Sequence, residues 1–217
     1  MTDVQSARVK EYWSNVAEEF DAIYSGKKSA VMRWLDRVFR KDMYERFRLT
    51  IEECEADEIK TILDIGTGSG RFCLPLAEKK AKVMGIDFSE SMIELARRRA
   101  EEAGTADKCD FRVADFLQLR LDQVFDAVLA IGVFDYVKQP GPFLEKMSQV
   151  VQQKVVTTFP SLWTWRVIPR WIRLNLKGCP VYFFTRKQIR RYHDQAGLRI
   201  QRFERIGKIY FVVASPS

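Results

Sequence analysis

A single histidine, His193, stands among the 217 residues, and that scarcity narrows the chemistry at once. A Ser-His-Asp triad or an imidazole-built zinc site would have to use that residue, and the pattern around it predicts a surface histidine on the last helix. The four cysteines, Cys54, Cys73, Cys109 and Cys179, are far apart. They form no CxxC pair or Cys/His cluster, so no metal is expected and they read as reduced thiols of the core. No uncharged apolar run approaches the roughly 20 residues a membrane-spanning helix needs. The start, MTDVQSARVKEYW, lacks the apolar stretch of a secretory leader, and the expected location is the cytoplasm. With no repeat, low-complexity tract or linker, residues 1–217 read as one domain.

Acids become scarce toward the C-terminus. From Pro160 onward only Asp194 and Glu204 oppose twelve basic residues, against a net charge of +7 for the whole chain. Such a surplus suits nucleic acid, anionic lipid or an acidic small molecule, and also an ordinary solvated face. In Ser161–Gly178 the basic residues Arg166, Arg170 and Arg173 alternate with Trp163, Trp165 and Trp171 around Pro169, predicting an irregular or broken helical insertion.

The centre of the chain is TILDIGTGSG, Thr61–Gly70. An aliphatic run ending in an acid and passing into glycines reads as a buried parallel strand, Ile62–Ile65, turning into a helix at Arg71–Lys80. Two helices precede it, one within Arg8–Tyr24 and one from about Ser29 to Glu55 with Trp34, Leu35, Val38, Phe39 and Tyr44 inward. After it come strands at Lys82–Asp87, Cys109–Val113, Phe125–Ile131 and Lys154–Phe159. Ser89 is placed to cap the helix that follows the second strand, and Pro142 starts another. Thr185 caps a last helix to about Ala196, Gly197 closes it, and Leu198–Arg205 and Lys208–Ala214 form an antiparallel hairpin. Strands alternating with helices predict a mostly parallel, doubly wound seven-stranded sheet with helices on both faces.

Such a sheet binds ligands beyond the carboxyl ends of its strands. Gly66, Gly68 and Gly70 let a ligand approach the main chain, and Asp87, 21 positions after Gly66, ends the next strand where a carboxylate can accept both hydroxyls of a ribose. Arg71 follows Gly70, so the spacing is G-x-G-x-G and not the dinucleotide G-x-G-x-x-G. Asp64 at the mouth further favours a cationic ligand over a pyrophosphate. The residues describe a nucleoside site.

The motifs LDIGTGSG, GIDFSESMIELAR, VADF and FDAVLAIGVFDYV, in this order and spacing, resemble those of the class I S-adenosylmethionine-dependent methyltransferases. The resemblance implies a Rossmann-like fold, S-adenosyl-L-methionine as cofactor and S-adenosyl-L-homocysteine as product. It implies that Asp64, Gly66 and Gly68 border the cofactor, that Asp87 with Phe88 and Met92 holds its ribose, and that Asp115 and Phe116 meet its adenine. Ile131 and Gly132 match the main-chain contacts to the methionine portion. Helical spacing equally suits Met92 to core packing; Asp115 could be a helix cap and Phe116 core. EYWSNVAEEFDAIY is similar to the family's leading lid, which places Tyr12 and Phe20 over the cofactor.

The resemblance divides the chain into lid helices at 1–56, a cofactor-binding core at 61–160, a substrate cover at 161–184 and a terminal helix and hairpin at 185–217. Parts also resemble the magnesium-protoporphyrin O-methyltransferases and the quinone-biosynthesis methyltransferases. Methyl transfer from a sulfonium needs in-line alignment more than a triad. Asp135, with Tyr136, is the candidate to orient or deprotonate the acceptor, expected to be a small flat or lipidic molecule with an acid group, reached at a membrane surface. An RNA acceptor finds no NPPY-like motif to support it, and a non-catalytic cofactor-binding member of the fold remains the other alternative.

Overall fold

The computed structural model describes residues 41–55, 58–79, 81–162 and 181–217. The leading lid with Tyr12 and Phe20, most of the helix expected from Ser29, and the tryptophan-rich insertion with Cys179 lie outside the described residues.

Helix α1 (Lys41–Cys54) leads into β1 (Thr61–Ile65), then α2 (Cys73–Glu78), β2 (Lys82–Asp87), α3 (Glu90–Glu102), β3 (Cys109–Val113), β4 (Phe125–Ala130), α4 (Gly141–Val150), β5 (Val151–Pro160), α5 (Arg186–Gln195), β6 (Leu198–Ile206) and β7 (Ile209–Pro216). The seven strands form one sheet in the order β3-β2-β1-β4-β5-β7-β6. Strands β1 to β5 pair in parallel, and β7 enters antiparallel between β5 and β6. The chain reverses its direction across the sheet between β1 and β4. The crevice beyond their carboxyl ends is where this topology binds ligands.

Alternation along the strands separates two cores, as expected of a sheet covered on both faces. Leu63, Met84, Val128, Val155 and Val212 pack with Phe143, Leu144 and Met147 of α4 and Ile189 of α5. Ile62, Val83, Leu129, Val156 and Val213 pack on the other face with Leu49 of α1, Leu76 of α2 and Ile93 and Ala96 of α3. Asp126 fixes the edge of the sheet opposite the crevice, where the strands begin. One carboxylate oxygen accepts from the backbone amides of Lys60 and Thr61 at 2.8 Å each and the other from Gln153 at 3.2 Å, clamping the entries of β1, β4 and β5.

Several local expectations change. Tyr44 is 51% exposed, because α1 seats Leu49, Ile51 and Cys54 and turns Tyr44 away. His193 is fully buried, not on the surface. It follows Ile189 by one helical turn, donates from Nδ1 to the Ile189 carbonyl at 2.8 Å, and meets the Phe159 ring edge-on at 5.8 Å. Ser89 occupies the position before α3, but its side chain makes no capping bond and meets Ser91 Oγ at 3.1 Å. Helix α2 is shorter than expected. Thr185 does cap α5, in a reciprocal box with Gln188.

Gly85 in β2 shows how tightly the crevice floor is packed: a Cβ there would come within 2.8 Å of the Phe111 ring and 3.0 Å of Thr67 Cγ2. Gly85→Ala is expected to lower stability by about 1–3 kcal/mol, measured by urea unfolding.

Candidate active site

The glycine turn follows β1 because three successive alternate residues adopt positive φ, 69° at Gly66, 55° at Gly68 and 76° at Gly70, a region side chains resist. The turn is tied to β2 by the amides of Gly66 and Thr67, both donating to the Ile86 carbonyl at 2.8 and 3.0 Å. Asp87 completes the tie. Its Oδ2 accepts from the Gly68 amide at 3.0 Å and its Oδ1 from the Ser89 amide at 2.9 Å. Among the described residues no atom lies within 4 Å of where a Cβ on Gly68 would point, whereas at Gly66 it would meet Val133 Cγ2 at 2.6 Å. The turn is therefore open at Gly68 and closed at Gly66 by the segment after β4.

Under the turn lies a buried acid. Asp64 is 1% exposed and shares its face of β1 with Ile62; Cys73 Sγ donates to its Oδ2 at 3.5 Å, and Thr67 Oγ1 and Cys73 Sγ are 3.0 Å apart. Burial pushes its carboxyl up to about 7, against the hydrogen bonds from Thr67 and Cys73 and with a contribution from the Asp87 charge. Asp87 is also raised, by burial, while the amides of Ser89, Gly68 and Phe88 oppose the shift.

The rim comes from the neighbouring strands. The Ala114 amide donates to the Asp87 carbonyl at 2.8 Å, bringing Asp115 and Phe116 beside β2. Asp115 is exposed, with Oδ1 accepting from the Leu117 amide at 2.9 Å. Phe116 is buried, its ring 5.6 Å from that of Phe143. Beyond β4, Ile131 is buried and Gly132, at φ 87°, donates its amide to Thr158 Oγ1 at 2.8 Å. A short 3₁₀ turn, Val133–Asp135, follows. Phe134 stacks on Phe159 at 4.4 Å, and the Asp135 carbonyl accepts from the Tyr182 amide at 2.9 Å. Asp135 is 8% exposed and Tyr136 half-buried. Phe88 is half-buried and Met92 is buried at the start of α3.

The structure thus brings Gly66, Gly68, Asp87, Ile131 and Gly132 around one crevice, with Asp64 beneath and Asp115 at its edge. It adds Arg46, which sequence reasoning did not select. From α1, Arg46 Nη1 lies 3.5 Å from where a Cβ on Gly132 would stand, and its buried Nε has no hydrogen-bond partner among the described residues. The only sequence signal was a cation amid the apolar residues of the helix preceding β1. Among the described residues no group of His, Cys, Asp or Glu could hold a metal ion.

A mostly parallel sheet whose strand order reverses between β1 and β4, with an antiparallel β7, is the Rossmann-like fold of the class I methyltransferases. Residues 56–190 match the family described as "Methyltransferase domain", and the chain belongs to that family. A ubiquinone biosynthesis O-methyltransferase of Bradyrhizobium diazoefficiens is 33% identical over 105 residues, 47% of this chain and 41% of that protein. A phosphatidylethanolamine N-methyltransferase of Cereibacter sphaeroides is 33% identical over 93 residues, covering 42% and 45%. The chain thus covers less than half the length of these curated relatives. The magnesium protoporphyrin IX methyltransferase of Synechocystis PCC 6803, solved with bound SAM, superposes with a TM-score of 0.77 at 19% identity, covering 100% of this chain and 99% of that one. That likeness bears on the fold.

Asp64 binds its proton more tightly folded than unfolded, so between about pH 4 and 7 the folded state holds more protons and stability falls as pH rises. The slope approaches at most about 1.4 kcal/mol per pH unit for one group. Asp64→Asn is expected to flatten it in urea unfolding measured from pH 4 to 8; an unchanged slope would show that Asp64 ionises freely.

Proposed function

We propose that this chain is an S-adenosylmethionine-dependent methyltransferase, working as one domain on a small-molecule acceptor. The observation that carries the reading is the Asp87 carboxylate fixed by the Gly68 and Ser89 amides beside a turn that is open at Gly68. The residues fit the cofactor. A carboxylate offers about four lone-pair directions, so Asp87 keeps two for ribose hydroxyls. Asp115 keeps one oxygen for the adenine amino group. The unpartnered Arg46 Nε and the adjacent Nη suit a carboxylate bidentately, which assigns Arg46 to the carboxylate of the methionine portion. Phe88 and Met92 flank the ribose and Phe116 the adenine.

Bound there, the cofactor supplies a methyl group activated on a sulfonium, and the protein's work is alignment and exclusion of water. The glycine turn and the Ile131–Gly132 backbone orient the donor side. Phe134, stacked on Phe159, holds the 3₁₀ turn that carries Asp135, and the Tyr182 amide ties that turn down. Asp135 orients the acceptor and, for a hydroxyl acceptor, takes its proton; Tyr136 stands beside it.

For the acceptor, a flat or lipidic body with an acidic group is supported by the exposed Arg186, Lys187 and Arg190 on α5 and by relatives named for ubiquinone, phosphatidylethanolamine and protoporphyrin chemistry. The same basic face suits peripheral contact with a membrane surface. Among the described residues no helix is long and apolar enough to cross a membrane.

Product mass after incubation with methyl-labelled cofactor and panels of quinol precursors, phospholipids and porphyrins tests the reading. Methylation of one panel is expected. Methylation of RNA alone, with affinity falling steeply with salt, would contradict the small-molecule assignment. With the true acceptor, Asp135→Asn is expected to lower kcat by about 10²-fold or more while leaving cofactor affinity unchanged; wild-type turnover across pH would remove Asp135 from the chemistry. Arg46→Met is expected to weaken cofactor binding roughly tenfold or more, read by calorimetry.

A further inference from the structure

Resting on the cofactor reading above, we propose that Lys146 is the positioning residue of the adenine edge, a half-buried cation that fixes the turn carrying Asp115. After β3 the chain makes one isolated helical turn. The amides of Gln118 and Leu119 donate to the Asp115 carbonyl at 3.0 and 2.9 Å, and the Leu117 amide donates to Asp115 Oδ1. Asp115 thus caps the amino end of the turn with its own side chain. A single turn leaves its last carbonyls without intrahelical partners, and a lone turn of this length does not persist without outside support.

That support comes from α4. Lys146 Nζ donates to the Phe116 carbonyl at 2.6 Å, to the Leu117 carbonyl at 3.2 Å and to the Leu119 carbonyl. Three donors meet three acceptors, which is the whole capacity of an ammonium group. The same Nζ lies 5.1 Å from the centre of the Phe116 ring, whose other neighbour, Phe143, sits one turn before Lys146 on α4. Burial lowers the ammonium pKa while the Asp115 charge acts in the opposite direction. Lys146 therefore caps the carbonyl end of the turn whose amino end is capped by Asp115, and one structural unit holds both. Apart from the Leu117 amide, the Asp115 carboxylate has no hydrogen-bond partner among the described residues. It is held in place and available to a 6-amino group.

Removing the ammonium group frees the turn and lets the carboxylate wander, so what is lost is discrimination at the purine 6-position. The test is calorimetric titration of S-adenosylhomocysteine and of its inosine analogue, which carries a carbonyl in place of the amino group, into wild type, Lys146→Met, Lys146→Arg and Asp115→Ala, with thermal unfolding of each. Wild type is expected to prefer the adenine ligand. Lys146→Met should bind it roughly tenfold or more weakly and lose most of that preference. Lys146→Arg, keeping charge and donors, should recover part of both. Lys146→Met combined with Asp115→Ala should cost little more than Asp115→Ala alone. Wild-type preference retained in Lys146→Met overturns the inference alone, even with a lowered melting temperature. If Lys146→Met does not fold, Lys146→Gln is read by the same preference. Failure of wild type to bind either ligand overturns the cofactor reading and this inference together.

Discussion

The crevice depends on one carboxylate bound by two backbone amides. Asp87 ends β2 and receives Gly68 from the turn after β1 and Ser89 from the start of α3, so two βα connections converge on a single side chain. Hydrogen bonds to an ionised acceptor are roughly twice as strong as neutral ones. Burial still raises the Asp87 carboxyl, and the amides oppose that shift. The tie is local to two strands, yet it sets where Gly68 stands and the direction in which α3 leaves.

Around that tie, packing does the positioning. The two cores lie on opposite faces of the sheet, and each sends one element to the rim. From the α1, α2 and α3 side comes Arg46 beside Gly132. From the α4 and α5 side comes Lys146 beneath the Asp115 turn. A Glu53 carboxylate secures α1 across the sheet, accepting from Lys154 of β5 at 2.8 Å and Arg202 of β6 at 2.9 Å. These partly buried pairs hold Glu53 below the usual carboxylate range despite the opposing effect of its burial. The position of Arg46 thus rests on contacts made by residues that never approach the crevice.

The glycine turn, Asp87 and the strand series were legible because their causes are local: β-branched runs, positive φ and the acid at a strand end. What was illegible depends on partners distant in sequence. Arg46 and Lys146 look like ordinary helix cations until α1 meets the loop after β4 and α4 meets the turn after β3. For His193 the signal of burial is its spacing from Ile189, one helical turn, and its ring completes the core at Phe159. The hairpin at the end could be read from Gly207, but not that β7 would pair with β5. Ser89 shows a local rule displaced. Asp87, two residues upstream, takes the Ser89 amide, and the serine hydroxyl turns to Ser91.

The central claim is that the crevice between the glycine turn and the segment after β4 is a site for a sulfonium nucleoside governed by Asp87. Isothermal titration of S-adenosylhomocysteine into the wild-type chain and into Asp87→Ala tests it most directly. The account predicts one-site binding by the wild-type chain and its loss in an Asp87→Ala protein that remains folded. Binding of equal strength in both, or no binding of the nucleoside by the wild-type chain, would contradict it.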